Sequence, residues 1–458
     1  MKLGFDFPAN PRKTFLYDLE ENWYLPLLAQ RKGLPLQATK RSNFGEYSMA
    51  VNYLTSVLEE AAAVNRVAVY NIDHMAQLLF SGSDAPALLD RALGGKMSEM
   101  KVGACKYTLL LNERGGVQDD MIVMRLSDTE YIAVINAGHD ITASKDGQEL
   151  IADIDRIMSV KRDGEDVVAK DISDQLVKVD VQGPLSFKLL KSIYGDAVLK
   201  NRNKPEKNMS FFTFNEFERD GHKYYISRTG YTNRWGWELY IPAAKAAEDF
   251  KAIVSKALDL DGLLVGLGGR DENRMSAGPH GLPLMGSEYD PEHSPLNAPL
   301  FAAGVDMDKE SFIGKEALQK ELDSNPTKAL LILVSEGIAS NRGVYLDGKR
   351  LGTVTSSINS PNLSLEMRQA IGSSRKNVNE PNGTAAIGLA WLYANPFPVD
   401  DEGKPITERD GQAIRVPVQF FREDSGGKPM GSPVLGYLTM DGITPATAPK
   451  PLKNIENL

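Results

Sequence analysis

"DDMIVMRLSDTEYIAVINAG" occupies residues 119–138. Two runs rich in β-branched and aromatic residues flank a polar turn at 127–130, the pattern of an antiparallel hairpin. Period two places Asp120 with Ile122, Met124 and Leu126 on one face, and Asp119 with Val123 on the other. An acidic group leading an otherwise apolar face suits a site at a strand end.

The neighbouring segments alternate between helix and strand patterns. "SMAVNYLTSVLEEAAAVN" (48–65) has helical spacing, "RVAVYNI" (66–72) reads as a strand, and "SDAPALLDRAL" (83–93) reads as a helix with Pro86 in its first turn. "GPLSFKLLKSIYG" (183–195) reads as a short helix. "KYYISRTGYTNRWGWELYIP" (223–242) predicts a second hairpin, followed by an amphipathic helix over 243–258. In that hairpin Trp235, Trp237, Leu239 and Ile241 share one face, while Glu238 and Tyr240 share the other. Trp237 then belongs to a core, and Trp235, at the turn, to a substrate pocket. Beyond about residue 320, short strands alternate with Gly, Asn and Pro turns, the pattern of a β-rich barrel or sandwich. The polar stretch 359–384 reads as a surface loop, and the tail after 445 as extended chain. The first 45 residues give no clear pattern.

Composition removes several function classes. The chain of 458 residues is 42% apolar and carries a net charge of -9, so it has material for a large core and lacks the basic balance of a general nucleic-acid binder. One cysteine, Cys105, excludes an internal disulfide and suits a reducing compartment. No run approaches the roughly 18 apolar residues of a membrane span, so a cytoplasmic protein is expected. Gly266-x-Gly268 is followed by Asp271 where a dinucleotide fingerprint needs glycine. Walker A and G-x-S-x-G sequences are absent, and His74, His139, His222, His280 and His293 show no H-E-x-x-H spacing. The sequence therefore predicts no metal.

Four separated blocks resemble the aminomethyltransferase family, the T-protein of glycine cleavage and its relatives. They are "YNIDHMAQL" (70–78), "YTLLLNERGGVQDDMIVMRLSDTEYIAVINA" (107–137), "RTGYTNRWGWELYIP" (228–242), and the segment from "GLGGRDENRMSAG" (266–278) to "FIGKEAL" (312–318). "VQGPLS" (181–186), "GKRLGTVTSS" (348–357) and "AAIGLAWL" (385–392) extend the match in the family's order. The resemblance implies an α+β, three-domain cloverleaf around a channel for tetrahydrofolate, with a β-barrel at the C-terminal end. Residues 1–320 would form the folate-binding region, as two intertwined α+β subdomains, and 321–458 the barrel domain.

The resemblance also implies residue roles. Tyr107, Asp120, Asn136, Tyr231, Glu238 and Arg270 match folate-side positions. Asp120 would order or accept a proton, Asn136 would hydrogen-bond the pterin, and Glu238 would accept two N–H donors from its amino-pyrimidine edge. Arg270 would hold a carboxylate, and in the segment that the family places along the channel His74 would be a catalytic residue and Met75 a substrate contact. Arg274 reads as structural. Asp73 replaces a family serine, and Asn233-Arg234-Trp235 replaces Gly-Glu-Asp. With the poorly matched N-terminus and the 359–384 insertion, these departures point to a tetrahydrofolate-dependent O-demethylase acting on vanillate-like aryl methyl ethers. Tyr231 would assist the leaving phenolate and Trp235 would contact the small-molecule methyl donor. The alternatives are the glycine-cleavage aminomethyltransferase, a sulfonium demethylase of the dimethylsulfoniopropionate type, and a catalytically idle folate binder.

Overall fold

The computed structural model describes residues 10–439, apart from 55, 141–142, 146–147, 278–280, 299–301, 325–328, 402–405 and 410–411. The opening hairpin forms as the sequence predicts. Strand Val117–Arg125 pairs antiparallel with Glu130–Ile135, setting Met124 opposite Ile132 and Ile122 opposite Val134. Both belong to a five-stranded sheet completed by Cys105–Leu111, Ala76–Ser81 and Val168–Asp171.

The second hairpin, His222–Ser227 with Gly236–Pro242, belongs to a six-stranded sheet. Gly236–Pro242 also pairs with Leu176–Gln182, and that strand pairs with Ala68–Asn71. The outer face of this sheet presents Val177, Val179, Val181, Trp237, Leu239 and Ile241 to the helices Ser186–Tyr194 and Ala246–Asp259. Trp237 is fully buried there, as its parity predicts. The inner faces of the two sheets meet through Met124, Ile132 and Val134 on one side and Leu176, Tyr225 and Tyr240 on the other. Strand parity thus sends Asp120 and Glu238 toward the space between the sheets.

Six strands between Ala329 and Thr439 close into a barrel. Leu331, Leu333, Val344, Val354 and Phe420 pack in one cluster, while the alternate residues Leu330, Ile332 and Val334 pack with Leu109, Leu111 and Val117 of the five-stranded sheet. Closure also removes the exposed sheet edges of the sandwich alternative.

Two expectations are corrected. Residues 48–65 are not one helix: Tyr47–Asn52 is a strand paired with Lys40–Phe44, and the helix covers only Val57–Ala62. Ser56 sets that start by accepting a hydrogen bond from the Glu59 amide, as an N-cap does. The 359–384 segment is not a plain surface loop. It forms the short helices Leu365–Gln369 and Lys376–Asn379, and Leu363, Ile371 and Val378 enter the core. Buried Arg368 donates to the carbonyls of Val378, Glu380 and Pro381 at 2.6, 2.7 and 2.9 Å. The N-terminal segment supplies a continuous helical run from Tyr17 to Lys32, ended by Gly33 at φ 64°. No described helix is long and apolar enough to cross a membrane. The extended tail expected after 445 lies outside the described residues.

Candidate functional site

Strand Leu176–Gln182 is buried along its whole length, yet every second residue is polar: Lys178, Asp180 and Gln182. Valines at 177, 179 and 181 face the helices, so the polar set faces the five-stranded sheet. Register sets Asp180 opposite Glu238 and Lys178 opposite Tyr240. Lys178 Nζ donates to Glu238 Oε2 at 3.0 Å, lies 3.9 Å from Met75 Sδ and sits 4.8 Å above the Tyr240 ring. Gln182 Nε2 donates to Asp180 at 2.7 Å and to the Thr229 carbonyl at 3.0 Å. Burial, then the nearby Glu238 charge, lifts the Asp180 carboxyl well above its ordinary range.

Across the gap, Asn136 holds both acidic residues at the start of the first hairpin. Its Nδ2 donates to Asp119 Oδ1 and Asp120 Oδ1, each at 2.7 Å. Register sets Tyr107 opposite Ile122, on the face that Asp120 shares, and burial, then the charge of Asp120, pushes the Tyr107 phenol up. Tyr231 also feels Asp120, Arg270 and Arg274. The Arg270 guanidinium stands 5.0 Å over the Tyr231 ring.

The Tyr231 hydroxyl donates to the carbonyls of Pro283 and Leu282, the latter at 3.3 Å. Burial pushes this phenol further from acidity. His74 is buried, edge-on to Phe44, with Nδ1 unpartnered. Burial, then the positive charges of Arg270 and Lys178, push its imidazole well below the ordinary histidine range.

The structure therefore brings Tyr107, Asp120, Asn136, Tyr231 and Arg270 together, and places Glu238 and Met75 around Lys178, with His74 preceding Met75 and packed on Phe44. It does not bring Trp235 into that group. Trp235 packs against the outer core, and Arg228 covers its face at 3.9 Å. Arg274 is a clamp, bonded to Asp271, Glu288, Ser356 and the Leu282 carbonyl. His293 bonds Asp290 and stacks on Trp391, and His280 lies outside the described residues.

Lys178 and Asp180 are the residues that sequence reasoning missed. The signal was available: "LVKVDVQ" alternates valine with charge in a strand flanked by apolar segments.

These donors and acceptors fit a folate. Arg270 Nε is buried without a hydrogen-bond partner, and no described carboxylate bonds this guanidinium. A polar or anionic ligand group would satisfy it. Glu238 supplies an acceptor carboxylate, and Asp120 a second one held in place.

Residues 36–309 match the family described as GCVT N-terminal domain. The aminomethyltransferase of Cutibacterium acnes is 33% identical over 343 residues, covering 74% of this chain and 87% of the relative. That of Exiguobacterium sibiricum is 32% identical over 387 residues, covering 84% and 94%. The glycine cleavage system aminomethyltransferase T from Bartonella henselae superposes with a TM-score of 0.65 over 93% of this chain and 96% of that one. At 23% identity, that superposition speaks to fold.

Proposed function

The chain belongs to the aminomethyltransferase family, whose members are tetrahydrofolate-dependent one-carbon transferases, and from that premise we propose that it moves the methylene carbon of a carrier-bound aminomethyl group to folate, breaking the carbon–sulfur bond and releasing ammonia and the carrier thiol, as in glycine cleavage. Tetrahydrofolate supplies the N5 atom that accepts the carbon. In this reading Glu238, steadied by Lys178, accepts hydrogen bonds from the amino-pyrimidine edge, and Arg270 faces a carboxylate of the ligand. Tyr107 and Tyr231 supply apolar ring surface. Asp120, fixed by Asn136, stabilises positive charge developing at the transferring carbon–nitrogen unit and holds the displaced proton at its carboxylate.

One observation carries this choice over aryl-ether demethylation. The Tyr231 hydroxyl is committed to the carbonyls of Leu282 and Pro283. A phenolate leaving group needs a proton donor or strong oxyanion stabilisation, whereas a methylene transfer that passes through a cationic carbon–nitrogen unit and releases ammonia draws on a carboxylate. The substitution that suggested a substrate pocket, Trp235, packs on the core instead.

The test offers the full chain tetrahydrofolate with an aminomethyl-loaded, lipoylated carrier protein, and in parallel with vanillate or syringate. Mass spectrometry follows the folate product. Methylenetetrahydrofolate from the carrier alone supports the proposal. Methyltetrahydrofolate formed from an aryl ether, with nothing from the carrier, overturns it in favour of O-demethylation.

A further inference from the structure

A second cluster lies beyond the end of strand Glu130–Ile135, outside the folate-side residues. One carboxylate oxygen of Glu46, one of Asp140 and one ring nitrogen of His139 all lie within 4.8 Å of one another. Sequence spacing hides this set, because Glu46 comes from the turn between Lys40–Phe44 and Tyr47–Asn52. That turn is pressed onto the strand end: a Cβ on Gly45 would stand 2.5 Å from the Ala137 Cβ.

Glu46 and His139 are each only 5% exposed. Neither Glu46 carboxylate oxygen has a hydrogen-bond partner. The nearest cation is half-exposed Arg12, whose Nη1 is 4.0 Å from Glu46 and whose Nη2 is 3.4 Å from Asp140. An ionised carboxylate so enclosed is costly without a close counter-charge.

His139 is already oriented for coordination. Its Nε2 lies 3.0 Å from Asp171 Oδ2, leaving Nδ1 buried and unpartnered. A carboxylate on one imidazole nitrogen, with the other free, is the arrangement that supports metal-binding histidines, because it fixes the tautomer and raises ligand basicity.

We propose that Glu46, His139 and Asp140 bind a divalent transition-metal cation of the zinc(II) type, with Asp171 positioning the histidine. One imidazole and two carboxylates match the borderline donor preference of that ion, and water completes the coordination. Metal bonds of about 2.0–2.2 Å require the three side chains to draw inward, and exposed Asp140 and Arg12 are free to make that adjustment. The ion clips the N-terminal segment to the strand end that carries Asn136, three residues before His139. Its role is structural.

The test uses the full chain, stripped with chelator and titrated with zinc chloride alone, by calorimetry and by thermal denaturation. One ion per chain and a raised Tm are expected. Glu46→Gln and His139→Gln should weaken binding more than tenfold, and Asp171→Asn about 10–100-fold. Asp140→Asn and Asp171→Asn alter exposed side chains, so they keep the comparison valid if a buried variant fails to fold. Absence of stoichiometric binding at millimolar zinc, or equal binding by the wild type and by every folded variant, overturns the proposal.

Discussion

Lys178 Nζ lies 3.0 Å from Glu238 Oε2, joining adjacent buried strands of the six-stranded sheet through a lysine that is 1% exposed along its side chain. The pair defines the carboxylate that this chain would present to a folate. Glu238 is not a free acceptor waiting at a channel wall. It is oriented by a buried cation, beside a second acid, Asp180, whose charge is disfavoured there by burial and by Glu238.

Removing one partner should therefore cost more than removing both. Lys178→Met leaves the Glu238 charge without its counter-ion, a loss of about 3–5 kcal/mol in comparable buried pairs. The Lys178→Met/Glu238→Gln double variant should recover a large part of that stability. Calorimetric Tm values for the four proteins of the cycle check it. A double variant no more stable than Lys178→Met would show that the pair does not set the cost.

Asp120 should separate binding from chemistry. Asp120→Ala is expected to bind tetrahydrofolate within about an order of magnitude of wild type while transfer falls roughly 10²–10⁴-fold, the usual contribution of a placed acid or base. Fluorescence titration and single-turnover transfer read the two quantities independently. Equal losses in both would reassign Asp120 to binding.

Tyr231→Phe distinguishes the two one-carbon readings. Its hydroxyl bonds backbone carbonyls, so its loss should cost about 1 kcal/mol of stability and leave the transfer rate within about tenfold. A general acid would lose about 10²–10⁴-fold. Chemical denaturation and kcat on the carrier substrate provide the comparison.

Arg368 should govern the order of the inserted segment. Arg368→Met strips donors from three carbonyls, the Val378 contact buried and those of Glu380 and Pro381 part-buried, at about 1–3 kcal/mol for the buried group left unsatisfied. Limited proteolysis should then cut between residues 360 and 384 earlier than in wild type, with folate binding retained. An unchanged cleavage pattern would show that Leu363, Ile371 and Val378 hold the segment without it.

Asp73 gives a signed pH effect. Burial lifts its carboxyl to about 7, although the Phe15 and Lys178 amides donate to it and pull the other way. The folded state keeps a proton that the unfolded chain releases near the ordinary aspartate range. This stabilisation is complete below about pH 4 and is lost as pH rises through about 7. Asp73→Asn, which mimics the neutral form, should flatten the fall in urea midpoint between pH 4 and 8. A wild-type profile no steeper than the variant's would place the titration elsewhere.

The sequence by itself determined the two hairpins, the parity of Trp237 and Glu238, the barrel-like C-terminal texture and the family resemblance. Each depends on local periodicity or on residues close together in the chain, and such patterns survive without coordinates. It misread 48–65, where good helix formers were overridden by pairing with the 40–44 strand. It also took the polar surface of 359–384 for the whole segment, because its three core residues are spaced too widely to show a period. Only the tertiary structure decided which charges meet. Lys178 and Glu238 are sixty residues apart, the Tyr231 hydroxyl finds carbonyls about fifty residues downstream, and Glu46 and His139, within 4.8 Å in space, are separated by 93 positions. Charge pairing acts over a few ångströms of space, and sequence distance carries no record of it.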